Sequence, residues 1–181
     1  MADLTQQTVV ADPDVLAAWR SGPRWFHVVV AMIDDDEVES RRHQVVDLLG
    51  PELVSLTAPG QAHVTIWAAG FEPPTSLTDS GRIPLQITAP ATFTSAAYLH
   101  VTGSGVERVR SRLLADGIPE DRQTPFVPHV TVGTYLNQVP LAQVHEQLRL
   151  MAEAPPIPVT GHIRHLVVDT RSPVGALAAP Q

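Results

Sequence analysis

Two short stretches hold residue types that can do chemistry. "QAHVTIW" runs from Gln61 to Trp67 and "VPHVTVG" from Val127 to Gly133, so His-Val-Thr followed by a β-branched residue is written twice, with His63 and His129 66 residues apart. Side chains alternate along a strand. His63 and Thr65 should therefore share one surface and Val64 and Ile66 the other, as His129 and Thr131 should against Val130 and Val132. In one shared cleft, a neutral imidazole can take a proton from an attacking oxygen while an imidazolium gives one to a departing oxygen. Histidine suits both tasks because its pKa lies near neutrality. Threonine hydroxyls can donate to the non-bridging oxygens of a phosphate ester as charge shifts in the transition state. Such chemistry requires no metal and no cofactor.

The elements that must position these residues also repeat. A short helix is expected at Asp12–Trp19, then a buried strand in "RWFHVVVAMI", then a helix over Asp34–Leu49 with Val38, Val45, Val46 and Leu49 on one face. Asp35, Asp36 and Glu37 suit its positive end, and Gly50-Pro51 stops it. The first His-Val-Thr strand follows at about Ala62–Ala69, and "FEPPTSLTDSGR" is turn chemistry. Strands are expected at Ile83–Thr88 and Thr92–Thr102, broken by Ala89-Pro90-Ala91. Ser104 with Glu107 has capping-box spacing, and Val106, Val109 and Leu113 line the helix they open. A loop with Pro119 and Pro125 leads to the second His-Val-Thr strand at about Pro128–Tyr135. Leu141, Val144, Leu148 and Met151 mark a further helix, "APPIPVT" is a breaker-rich link, and "HIRHLVVDT" closes the chain as a strand. The expected class is α+β, with two similar lobes of mainly antiparallel sheet backed by helices. Residues 1–24 read as an N-terminal segment with a short helix, 25–171 as one domain of two units (about 25–90 and 91–171), and 172–181 as a loose tail.

"HVTI" at His63–Ile66 and "HVTV" at His129–Val132, the latter inside "PFVPHVTVG", resemble the paired motifs of the 2H phosphoesterase superfamily, which includes the 2'-5' RNA ligase-like proteins. The resemblance extends over about Trp25–Thr170. It implies a bilobal fold with pseudo-symmetric lobes and a central cleft. It also implies metal-independent phosphodiesterase chemistry, hydrolysing or transesterifying 2',3'-cyclic phosphates, 2'-5' linkages or cyclic phosphates of small nucleotides. His63 and His129 would be the catalytic pair and Thr65 and Thr131 the phosphate holders. Many relatives place a basic residue shortly after the second motif, where this chain has Gly133, Thr134 and Tyr135. That departure argues against long RNA as substrate.

The net charge of −7 argues the same way, because gripping a long polyanion depends on Lys and Arg. A small nucleotide or an RNA-end phosphate needs only a local pocket. Trp67, two beyond Thr65, and Tyr135, four beyond Thr131, are expected on the threonine faces, where either ring can stack on a base. Roofing the sheet is the competing reading, and Phe126 is assigned to the core. His27 and His100 either border the cleft or pack in the core, and His43 and His145 are expected in solvent on helices. His162 and His165 fall on opposite strand faces, which disfavours a metal site. Arg24, Arg82 and Arg122 are loop residues that can supply charge, with none singled out. There is no cysteine and no His-Glu-x-x-His, and the longest mainly apolar run, Phe26–Ile33, has eight residues with His27 among them. A cytoplasmic monomer away from membranes is expected. The competing class is a nucleotide-binding or sensing module that uses the same cleft without rapid turnover.

Overall fold

The computed structural model of the chain describes residues 6–74, 81–122 and 124–180. After a short helix α1 (Pro13–Ser21) comes β1 (Trp25–Met32), whose alternate residues Val29 and Ala31 enter the main core. Helix α2 (Asp36–Leu49) starts where Asp35 Oδ1 accepts the Glu37 and Val38 N–H groups at 2.9 and 3.2 Å, a cap worth about 1 kcal/mol. Then follow β2 (Val54–Leu56), β3 (His63–Gly70), β4 (Arg82–Thr92), β5 (Ala96–Thr102), α3 (Ser104–Ala115) and β6 (His129–Tyr135). Helix α4 (Leu141–Leu148) runs into a 3₁₀ turn at Arg149–Met151, and β7 (Ile157–Asp169) and β8 (Leu177–Ala178) end the described chain. Among the described residues no helix is long and apolar enough to cross a membrane.

The architecture is α+β with an antiparallel sheet. Its strand order is β1-β3-β6-β5-β4-β7-β8, with β2 on β6, and β1 also pairs with β7. Six strands thus close into a ring. β7 joins its two halves, pairing with β4 over Ile157–His162 and with β1 over His162–Asp169. One face of the sheet packs on Val38 and Val45 of α2, Val106 and Leu113 of α3, and Val144 and Leu148 of α4. The helices pack across the units: α2, which follows β1, lies on β2 and β6, and α3, which follows β5, lies on β3 and β4.

Four local expectations are corrected. β4 runs through Ala89-Pro90-Ala91 as one strand, because Pro90 lies beyond the last β7 pair at Ile87 and follows a register shift against β5, where a missing N–H costs no ladder bond. β7 begins at Ile157 and includes Pro158, since over Ile157–Gly161 it has β4 on one side only and behaves as an edge. The Ser104–Glu107 capping box does not form, as Gly103, with φ of 147°, makes the turn and Ser104 falls inside the helix. The tail is not loose throughout. Leu177 is buried against Val28 and Val30, its N–H donates to Gln61 Oε1 at 2.9 Å, and its carbonyl accepts from Gln61 Nε2 at 3.1 Å. The expected turn over Phe71–Arg82 includes residues 75–80, which lie outside the described ones.

Candidate active site

β3 and β6 are neighbours in the ring but pair at a single position, Val64 with Val130. Both valines point into the core. Extending the antiparallel register by one residue sets His63 against Thr131 and Thr65 against His129, all four on the face away from the main core. The structure therefore brings together the four residues singled out by the repeated triplets.

The two imidazoles are anchored alike. His63 Nδ1 lies 2.6 Å from the Gln61 carbonyl and His129 Nδ1 2.6 Å from the Val127 carbonyl. A carbonyl only accepts, so each Nδ1 carries a hydrogen and each Nε2 is left to bind or release a proton. Burial pushes both rings below the ordinary imidazole value of 6.5. For His63 the bond to Gln61 opposes that shift, the charges of Arg42 and His129 add to it, and Glu39 opposes it. For His129 the bond to Val127 opposes it, and Arg122 and His100 add to it.

Each triplet ends in a bulge. Val30 faces Thr65 while Val29 faces Trp67, and Tyr98 faces Thr131 while Ala97 faces Gly133, so Ile66 and Val132 are the extra residues. A bulge advances the side-chain alternation by one. Trp67 and Tyr135 consequently turn into the core, 3% and 2% exposed. Trp67 Nε1 donates to the Pro119 carbonyl at 2.9 Å, and the Tyr135 hydroxyl is bonded to Thr92 Oγ1. The expectation that these rings stack on a substrate base is corrected, and the competing assignment to packing holds. Strict alternation put them on the threonine face because nothing in the triplets announces the bulge.

The aromatic wall of the cleft is formed by residues that sequence reasoning missed. Phe93 and Tyr98 stack at 4.1 Å and present their faces or edges to His129 at 5.0 and 5.3 Å. Tyr98 shares a face with Thr131 by register, and alternation along "SAAYLHVT" could have placed it beside His100. His100 itself faces His129 across β5 and β6 and so borders the cleft, whereas His27 is buried with its Nδ1 3.0 Å from His165 Nε2. His43 and His145 are exposed. His162 faces Met32, which in turn faces His63, so it lies on the cleft side while His165 lies on the other. Among the described residues no three His, Asp or Glu side chains are grouped to hold a metal ion.

The arginines divide. Arg24 pairs with Asp169 at 2.8 Å near the surface and Arg82 opens β4 opposite His162, but Arg122 lies close enough to act on His129. Two further arginines were missed. Arg42, on α2 and 1% exposed, donates through Nε to the Thr131 carbonyl at 3.1 Å and through Nη1 to both Glu39 oxygens at 2.8 and 2.9 Å. Arg110, on α3, donates to the Ile66 carbonyl at 2.7 Å and forms a two-pronged pair with Glu120 at 2.9 and 3.0 Å. Arg110 also stands 4.0 Å from the Phe126 ring centre, and Phe126 packs at the edge of the core as expected. Gly133, which follows the second motif directly, faces β2: a Cβ there would meet the Ser55 carbonyl oxygen at 2.1 Å.

Further along the same face a cavity of about 740 Å³ opens between Gln86, Thr102, Thr160 and His162, with Asp34 and Asp35 at its wall and no arginine among its lining residues.

An α+β ring in which two His-x-Thr strands meet across one cleft defines a 2H phosphoesterase-type fold. The chain belongs to the 2'-5' RNA ligase superfamily, whose family model matches residues 61–172. Proteins of that superfamily are generally phosphoesterases or ligases. The match begins two residues before His63, so β1 and α2, with Glu39 and Arg42, lie outside it. Comparison with curated protein sequences gives no match.

Proposed function

We propose that this cleft breaks and remakes one phosphodiester bond of a small nucleotide or RNA end, either a 2',3'-cyclic phosphate or a 2'-5' linkage, by paired-histidine acid–base catalysis without a metal. The observation that carries the reading is the duplicated pose: two imidazoles with Nδ1 anchored to backbone and Nε2 left over, flanking the one position, Val64 with Val130, at which the motif strands pair. In hydrolysis of a cyclic phosphate, one neutral Nε2 takes a proton from water as its oxygen attacks phosphorus. The other, protonated, gives its proton to the departing 2' or 3' oxygen, and solvent restores both. Thr65 and Thr131 donate to the non-bridging oxygens as their charge grows. The cavity beside the site favours an uncharged sugar or base over a further phosphate, because acidic Asp34 and Asp35 stand at its wall with no arginine among its lining residues.

The test is turnover of a panel of 2',3'-cyclic nucleotides and 2'-5' oligoadenylates by protein held in EDTA. Cleavage of at least one class supports the proposal. Tight binding with the ligand recovered intact would replace the enzyme by a sensing module, and activity that appears only with added divalent ions would replace the mechanism.

A further inference from the structure

We infer that two arginine–glutamate pairs, Arg42 with Glu39 and Arg110 with Glu120, are positioning residues that fix the spacing between the His63 and His129 imidazoles. The inference builds on the proposed reaction at the same site. The direct link is weak: β3 and β6 share one paired position, so the ladder alone does not hold the two motif strands in place. The bulges at Ile66 and Val132 lie in the ladders to β1 and β5, so the pairings on the outer sides of the two motif strands are irregular as well.

The side chains complete what the ladder lacks. From the Thr131 carbonyl, opposite His63, the chain of bonds runs to Arg42 Nε, through the ion pair to Glu39, and from Glu39 Oε1 to the N–H of Ala62 at 2.8 Å, next to His63. Arg42 also donates to the Thr57 and Ala58 carbonyls, so its buried guanidinium is held on several sides. The second chain runs from the Ile66 carbonyl to Arg110, through Glu120, to Arg122 Nε at 3.0 Å, and Arg122 stands 5.1 Å from the ring centre of Phe126, next to Val127, whose carbonyl holds His129 Nδ1. Although burial pushes Glu120 up, hydrogen bonds from Arg110 and Arg122 hold its carboxyl below the usual range, so it stays charged at neutral pH. Each helix thus reaches over the other unit's strand: α2 carries the arginine that holds β6, and α3 the one that holds β3. Two braces of the same chemistry cross between the motifs.

Replacing arginine by lysine keeps the charge and removes the planar fork, so its effects report geometry. In Arg42→Lys and Arg110→Lys, ¹⁵N resonances of the imidazoles in substrate-free protein should show both pKa values rising toward 6.5 as the cleft loosens and admits water. With substrate, kcat should fall roughly 10–10²-fold while KM changes little, as expected when reacting groups are misplaced. If Arg42→Lys does not fold, Arg110→Lys carries the test, since Arg110 is partly exposed and the change keeps its charge. Unmoved imidazole resonances in the folded variants would overturn the inference. Moved resonances in a protein whose wild type turns over nothing in the cyclic-phosphate panel would leave the braces standing and remove the proposed reaction instead.

Discussion

His63 and His129 are held in one pose: each donates its Nδ1 hydrogen to the carbonyl two residues earlier, at 2.6 Å in both cases. Two unrelated local sequences, Gln61-Ala62 and Val127-Pro128, arrive at that geometry. The common factor is the strand start, where a backbone carbonyl not engaged in the ladder meets a side chain of the right reach. With both Nε2 atoms left over, His63→Ala and His129→Ala should each lower turnover about 10²–10⁴-fold. Neither residue is part of the apolar core, so the thermal midpoint should stay close to wild type. Near-native turnover in either variant would remove that imidazole from the mechanism.

The pH dependence follows from burial. Both imidazoles lie below 6.5, and the reaction needs one neutral and one protonated, so kcat/KM should trace a bell centred on the acid side of 6.5. Its limbs belong to the pair, and the bell should persist in EDTA. A monotonic profile would contradict the paired assignment.

Stability responds to the same shifts with a definite sign. A histidine with a lowered folded pKa binds fewer protons when folded than when unfolded, so stability is fully present above 6.5 and is lost as pH falls through the folded values. Thermal melts from neutral to mildly acidic pH should show a falling midpoint. The fall should be shallower in His63→Gln, and an identical slope would assign the acid sensitivity to other groups.

Thr65→Val and Thr131→Val delete a hydroxyl at nearly constant volume. Loss of one such donor costs about 10²–10³ in kcat at well-formed oxyanion sites, and a partly open cleft should give somewhat less. Steady-state kinetics decide the matter, and unchanged rates in both variants would place the hydroxyls outside the reaction.

Trp67 and Tyr135 should behave as core residues. Trp67→Ala should cost about 3–5 kcal/mol in denaturant unfolding, and Tyr135→Phe, which removes the bond to Thr92, about 1 kcal/mol. Base preference among nucleotide substrates should not change in Tyr135→Phe. A changed preference there would return the ring to the cleft.

The split between what the sequence reveals and what it conceals has a physical basis. The order of the longer strands and helices, the α+β class and the meeting of His63 with His129 are legible because local periodicity and a repeated triplet report on one element at a time, whereas the short strands β2 and β8 carry no periodicity to read. Trp67 and Tyr135 are misread because a bulge is made between strands: it shows as Val29 and Val30 facing Trp67 and Thr65, and no residue type marks it. Arg42 and Arg110 are missed for a related reason. On a helix an arginine reads as solvated, and only the packing of α2 on β6 and α3 on β3 reveals the carbonyls they serve. Gly133 reads as a missing cation until β2 is seen running against it.

The continuity of β7 limits how the molecule can admit a ligand. Because one strand is laced to β4 along its first half and to β1 along its second, a hinged opening of the halves would strip ladder bonds worth about 0.5–1.5 kcal/mol each. The side where β3 and β6 pair once has fewer ladder bonds to lose. A fixed frame of this kind selects its guests by fit at first contact rather than by closing over them. Amide exchange on bound ligand should slow around the two motifs and leave β7 as it was.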